Sequence, residues 1–203
     1  MLATALLAAL GAAVLVSGSR PAPARPLAAA AVTVWTIDPA HSTISFRIRH
    51  LMSRVSGTFT QWKGTISADS GAWGQGSVSV RIRTASIDTR NDRRDADLRS
   101  SDFFDAAKYP ELKFTSTSVQ VSGDQLWING DLMMKGVTRP VVLEGEILGL
   151  QTNGPPQRVS FHAATRINRL DWGITWNRAV EGGGALLGDE VEIDLSVEAI
   201  RAP

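Results

Sequence analysis

The sequence predicts an all-β domain of eight antiparallel strands with one short helix between the third and the fourth. Three observations carry that reading. The hydropathy period from Val32 onward is two, not 3.6. Short turns such as SGD at 122–124 and KGVT at 135–138 separate the alternating runs. One charged segment, RNDRRDADLRSSDFFDAAKYP at 90–110, breaks the period.

The alternation is sharpest at the end of the chain. There Val191, Ile193, Leu195, Val197 and Ala199 interleave with Glu192, Asp194, Ser196 and Glu198. Ile44, Phe46, Ile48 and His50 alternate with Ser45, Arg47 and Arg49, and Val78, Val80 and Ile82 alternate with Ser79, Arg81 and Arg83. Further strands are predicted at 54–67, 112–121, 125–135, 138–149 and 157–167, with a short extra one at 32–37. Strands with one apolar face must cover it, so eight of them close into a barrel or fold into a sandwich. Gly57, Gly64, Gly130 and Gly145 lie inside predicted strands, where a curved, closed sheet needs bends and close approaches.

In the charged segment, Asn91 or Asp92 is placed to cap a helix. Arg93 precedes Asp97 by four residues, as Asp95 precedes Arg99, a spacing that predicts ion pairs along one helical face. Tyr109-Pro110 ends the segment. Leu98, Phe103 and Phe104 are expected to face inward.

Residues 1–31 read as a separate unit. MLATALLAALGAAVLVSG is almost unbroken apolar chain, followed by the Pro-rich SRPAPARP and small residues suited to an A-x-A cleavage site. This predicts an export signal, or failing cleavage an N-terminal anchor, and a periplasmic or secreted domain at 32–203. No Lys or Arg precedes the apolar run, which departs from the usual signal pattern.

Composition excludes several classes. Lys+Arg is 21 and Asp+Glu 20, and removal of Arg20 and Arg25 with the first 31 residues turns the balance from +1 to 19 − 20 = −1. Backbone-driven nucleic-acid binding needs a basic excess that this chain lacks. The absence of cysteine excludes disulfides, thiolate catalysis and Cys-zinc sites. No Gly-x-Ser-x-Gly elbow or Gly-Lys-Ser/Thr phosphate loop occurs, and VEGGGALLGDE at 180–190 reads as a connection near a cavity mouth. His41 and His50 are an odd nine apart, and His162 lies on the polar face of its strand, so a three-histidine zinc site is unsupported. His50 shares an apolar face, as a satisfied half-buried group or as a polar group inside a cavity. Trp172 and Trp176 in LDWGITW are either core or ligand-facing aromatics.

WTIDPAHSTISFRIRHL (35–51), VSGTFTQWKGTI (55–66), ASIDTRNDRRDADLRSSDFFDAAKYPELKFTSTSV (85–119), INGDLMMKGVTRPVVLEGEI (128–147), INRLDWGITW (167–176) and LGDEVEIDLSVEA (187–199) together resemble the YceI-like family of bacterial polyisoprenoid-binding proteins. The resemblance implies a lipocalin-like barrel, export, and non-catalytic binding of a polyisoprenoid or similar long-chain amphiphile in an internal tunnel. It implies no cofactor or metal. A homodimer, and membrane proximity through the N-terminal segment, are compatible with it.

Strand phase nominates tunnel residues: Phe46, Ile48 and His50; Val80 and Ile82; Phe114; Leu132 and Met134; Leu143; Phe161; and Ile193 and Leu195. Phe103, Phe104, Trp172 and Trp176 join them from the connections. Arg90, Arg94, Asn168 and Arg169 are the candidates for holding a polar head group. Two rival readings stand beside this one. One is an enzyme acting on a lipid or quinone-like substrate through His50, Asp38 or Asp171, and the other is a filled barrel serving as a structural or partner-binding module.

Overall fold

A computed structural model describes residues 33–69, 72–179 and 185–202. The predicted signal or anchor therefore lies outside the described residues, as does the first part, 180–184, of the glycine-rich 180–190 connection. Among the described residues, no helix is long and apolar enough to cross a membrane.

The strands are β1 (Val34–Ile37), β2 (Thr43–His50), β3 (Ser53–Phe59), β4 (Trp62–Ser67), β5 (Ser77–Arg83), β6 (Ile87–Asp88), β7 (Glu111–Ser122), β8 (Gln125–Met134), β9 (Val137–Gln151), β10 (Arg158–Asn168) and β11 (Leu187–Arg201). One helix, α1 (Asp92–Arg99), lies between β6 and β7. All pairings are antiparallel.

These segments make eight walls. The long β11 pairs with β2 along its first part and with β1 at its end. Thus β1 and β2 form one interrupted wall. Segments β3 and β4 form the next, since β3 pairs with β2 and β4 with β1. The predicted 54–67 strand is in fact broken at Thr60–Gln61, where both the backbone and the hydroxyl of Thr60 donate to the Ser86 carbonyl. From there the order runs β5, β7, β8, β9, β10 and back to β11, which closes the barrel.

Gly130 and Gly57 show why glycine is needed inside a wall. A Cβ at Gly130 would stand 2.4 Å from the Phe114 ring and 2.7 Å from the Thr115 carbonyl. At Gly57 it would stand 2.4 Å from the Phe46 ring. In both cases an inward aromatic ring lies across bare backbone.

Register shifts decide which side chains face inside. Between Ser116 and Ser118 the β7–β8 register slips by one residue. Leu112 and Phe114 face inward before the slip, and Val119 and Val121 border the interior after it. A one-residue bulge exchanges the two faces of a strand. A second slip, in β9 opposite Ser160/Phe161, leaves Leu148 58% exposed.

One end of the barrel is plugged by aromatics. Trp35 is fully buried, and its indole N–H donates to the Ala68 carbonyl at 2.9 Å. Its ring lies 5.5 Å from Trp73, which meets Phe161 edge-on at 5.4 Å. The other end carries α1, the 100–110 loop and the segment that follows β10.

Helix α1 begins as the sequence predicts. The Asn91 side chain accepts from the Arg94 N–H at 3.0 Å. Its charges do not pair as their spacing predicts. Asp95 is buried and accepts from the backbone N–H and hydroxyl of Thr89, at 3.0 and 2.5 Å. Arg99 donates to the carbonyls of Ala85 and Ile87, and Arg94 to the hydroxyl and carbonyl of Thr89. Residues 84–89 are a 3-10 turn followed by the two-residue strand β6, and the carbonyls of Ala85, Ile87 and Thr89 find their side-chain donors on the helix. The charges therefore bind the helix to that segment, a stronger use than an exposed i,i+4 pair.

Candidate functional site

The inward faces of the walls enclose an apolar cavity of about 260 Å³. Its lining runs from Trp73, Ile66 and Val121 near the plugged end to Phe103, Phe104, Ile174 and Leu187 at the other. Ser45, Ser77, Thr165 and Arg169 are the lining residues with polar side chains. An engineered apolar cavity of about 150 Å³ in another protein stays dry and takes up benzene, so a larger one lined this way favours an apolar guest over water.

Of the residues nominated by strand phase, Phe46, Ile48, Val80, Ile82, Phe114 and Leu132 line this cavity, as do Met134, Leu143, Phe161, Ile193 and Leu195. Phe103, Phe104 and Leu98 line it from the cover. Phe104 meets Phe59 edge-on at 6.1 Å, and Phe59 in turn packs on Phe46 at 5.8 Å. The cover is thus joined to the wall by a row of rings.

Three nominated tunnel residues lie elsewhere. His50 is the last residue of β2 and pairs with Leu187, at the point where β11 bulges through Gly188–Glu190. Leu187 lines the cavity and His50 does not. Trp172 is buried, but its indole N–H donates to the Leu132 carbonyl at 3.0 Å, and it packs behind cavity-lining residues such as Ile167 and Ile174 without lining the cavity itself. Trp176 packs on Phe103 with ring centroids 5.2 Å apart and planes tilted by 43°, outside the cavity lining. Strand phase cannot place these two tryptophans, because they follow the end of β10 in a 3-10 turn and an irregular strap.

The four head-group candidates also separate. Arg90 is exposed with a φ of +60° beside Asp88, whose carboxylate accepts its N–H. Arg94 is spent on Thr89. The Asn168 side chain accepts from the Leu170 N–H and so caps the 3-10 turn. Arg169 alone of the four borders the cavity, and it is 3% exposed. It donates to the carbonyls of Gly188 (2.9 Å), Ile174 (2.5 Å) and Trp176 (3.0 Å), and to the Asp189 carboxylate (3.1 Å). Burial lowers its pKa from the ordinary arginine value, and Asp189 acts in the opposite sense. Arg169 therefore ties the 174–176 strap to the start of β11 at the rim of the cavity.

The residues named for a catalytic reading do not converge. His50, Asp38 and Asp171 sit on three different segments, and none lines the cavity. Asp38 instead meets His41 at 2.8 Å and Arg158 at 3.6 Å, with Glu198 also on Arg158. Asp38, His41 and Glu198 have ligand-type atoms within 4.8 Å of one another, but the Arg158 guanidinium already occupies the place a cation would take.

Sequence reasoning missed lining residues of two kinds. Val119 and Val121 lie beyond the β7 bulge, where the phase has reversed. Leu112 and Ile37 were legible, since Leu112 is in phase with Phe114 and Ile37 alternates with Trp35.

A closed antiparallel barrel with an apolar internal cavity and a capped mouth is the architecture of lipocalin-like binding proteins. The YceI-like domain model matches residues 35–199, and the chain belongs to that family. It is 41% identical over 164 residues to Protein YceI of Escherichia coli O6:H1, covering 79% of this chain and 82% of that one. The crystal structure of Burkholderia cenocepacia BcnA superposes with a TM-score of 0.69 at 22% identity, covering 80% of this chain and 98% of that one. A polyisoprenoid binding domain from Saccharophagus degradans superposes with a TM-score of 0.61 at 16% identity, covering 83% and 98%.

Proposed function

We propose that the protein binds, without catalysis, a polyisoprenoid or similar long-chain amphiphile in the barrel cavity, for transport or storage outside the cytoplasm. The observation that carries this is the cavity itself, which is closed by aromatics at one end, apolar along its length, and bordered by one charged residue. Each methylene moved from water into such a site contributes about 0.8 kcal/mol, so one five-carbon unit offers roughly 3–4 kcal/mol before the cost of ordering the chain. Selection of this kind reads width and length. Arg169, the charged lining residue among the described residues, has most of its donors committed, so it contributes little to head-group choice. The N-terminal apolar run and the Pro-rich linker after it support the export part of this reading.

Native mass spectrometry of freshly purified protein, followed by organic extraction, tests the reading. The expected result is a complex that releases a prenyl or long acyl lipid. A ligand-free protein that also takes up neither prenyl lipids nor long acyl chains would overturn it.

A further inference from the structure

One hydrophobic feature is unused by the fold. Met52, at the tip of the β2–β3 hairpin, has full solvent exposure at 104% of its reference value, and its neighbour Leu51 is 43% exposed. Leu51 also adopts a φ of +52°, a left-handed conformation that glycine or asparagine would hold with less strain. Neither the turn nor the core needs leucine and methionine there.

The position of the tip matters more than its composition. Leu51 N–H donates to the Leu186 carbonyl at 2.9 Å, and the next residue, Leu187, pairs with His50 and lines the cavity. The tip is thus attached to the rim. Leu170, 39% exposed, directly follows the rim residue Arg169. The flanks are basic: Arg49 donates to the Leu51 carbonyl at 3.3 Å, and Arg54 donates to both Glu192 carboxylate oxygens at 3.0 Å. Along this edge Arg47, Arg54 and Arg166 pair with Glu190 and Glu192, and Arg169 pairs with Asp189. Arg49, beside the tip, has no carboxylate partner among the described residues, so the surplus of positive charge is local to the tip.

We infer that the Leu51–Met52 tip, with its flanking arginines, is a docking point that seats the mouth end of the barrel on an anionic lipid bilayer. A stable protein interface buries about 800 Å² on each partner and needs shape complementarity, which two side chains on a turn do not provide. A bilayer requires neither. It accepts a few apolar side chains below the head groups and rewards basic residues beside them. This inference rests on the amphiphile-binding reading, since a ligand of that kind resides in membranes and must enter through the mouth.

The chain contains no cysteine, so Met52→Cys in the full-length protein gives a single labelling site. With an environment-sensitive fluorophore at position 52, phosphatidylglycerol-containing vesicles should shift the emission to the blue. A nitroxide-bearing lipid should quench it. The same label placed by Asp124→Cys, in the β7–β8 turn at the far end of the wall, should remain water-like. Raising the salt to about 0.5 M shortens electrostatic reach to a few ångströms and should weaken the response at 52. Leu51→Asp, which tolerates the left-handed backbone, should raise the lipid concentration for half-response roughly tenfold.

A label at 52 that responds no more than the label at 124 overturns the docking. So does a label at 52 that is already shielded in vesicle-free buffer, which assigns the tip to contact between protein copies. Lipid extraction from the same preparation is read separately. Recovered lipid with an unresponsive tip overturns the docking and leaves the ligand reading intact. A responsive tip on a protein that neither yields nor takes up lipid supports the docking and overturns the ligand reading.

Discussion

Phe104→Ala separates a gated mouth from a merely closed core. Phe104 is half-buried, borders the cavity and meets Phe59 edge-on at 6.1 Å. Full burial of such a side chain contributes about 1.5–3 kcal/mol, so half of that, about 1–1.5, is lost on truncation. The aromatic pair adds about 0.5–1.5 kcal/mol. No large new-void term applies, because the ring already faces empty space on its cavity side. The sum is about 1.5–3 kcal/mol of stability, or roughly 3–12 °C in melting temperature for a domain of this size. The functional effect follows from the same contacts. They hold the 100–110 loop against the wall, and about 1.4 kcal/mol less closure corresponds to a tenfold faster opening. A dansyl-tagged long-chain amphiphile loaded into the protein and displaced by excess unlabelled lipid in a stopped-flow instrument should therefore leave about ten times faster. Val121→Ala, which trims the lining near the plugged end, should leave the off-rate unchanged. A melting temperature that falls as expected with an unaltered off-rate would refute the reasoning and place the ligand's exit away from this loop.

Two further outcomes follow from named contacts. Arg169→Met removes donors to Gly188, Ile174, Trp176 and Asp189, and should cost on the order of 3 kcal/mol in urea unfolding. Arg169→Lys should recover little, because one ammonium cannot span four acceptors. The hydrogen bond from His41, then the Ala40 N–H and the nearby His41 and Arg158 charges, lower the Asp38 pKa below the usual aspartate value. A carboxylate whose folded pKa is depressed stabilises the protein above its unfolded pKa, near 3.9, and that stability disappears as pH falls through the folded value. Asp38→Asn should therefore flatten stability measured from pH 5 down through pH 3, relative to the parent.

Local chemistry made much of this molecule legible from residues alone. Ile193 and Leu195 face the cavity because side chains alternate across a strand, and nothing in the β11 wall beyond Val191 interrupts that alternation. Asn91 caps α1 because a short polar side chain before a helix meets an unpaired N–H wherever that helix sits. The Phe114 ring lies across Gly130, diagonally placed on the neighbouring strand, for a reason readable only afterwards, since the ring needs bare backbone there. The misplacements fall where the chain leaves a regular period. The β7 bulge turns Val119 and Val121 inward, and the irregular turn after β10 sends Trp172 into the packed core and Trp176 onto Phe103.

The sequence by itself determined the all-β class, the antiparallel order of alternating runs, the position of the helix and most of the apolar lining, because each depends on neighbours a few residues apart. Closure of the barrel, the reversal of phase at the bulges, the diversion of the helix charges onto residues 84–89 and the commitment of Arg169 to the strap were decided only in the tertiary structure. Each of these depends on which carbonyls and faces, distant along the chain, remain unsatisfied once the walls have met.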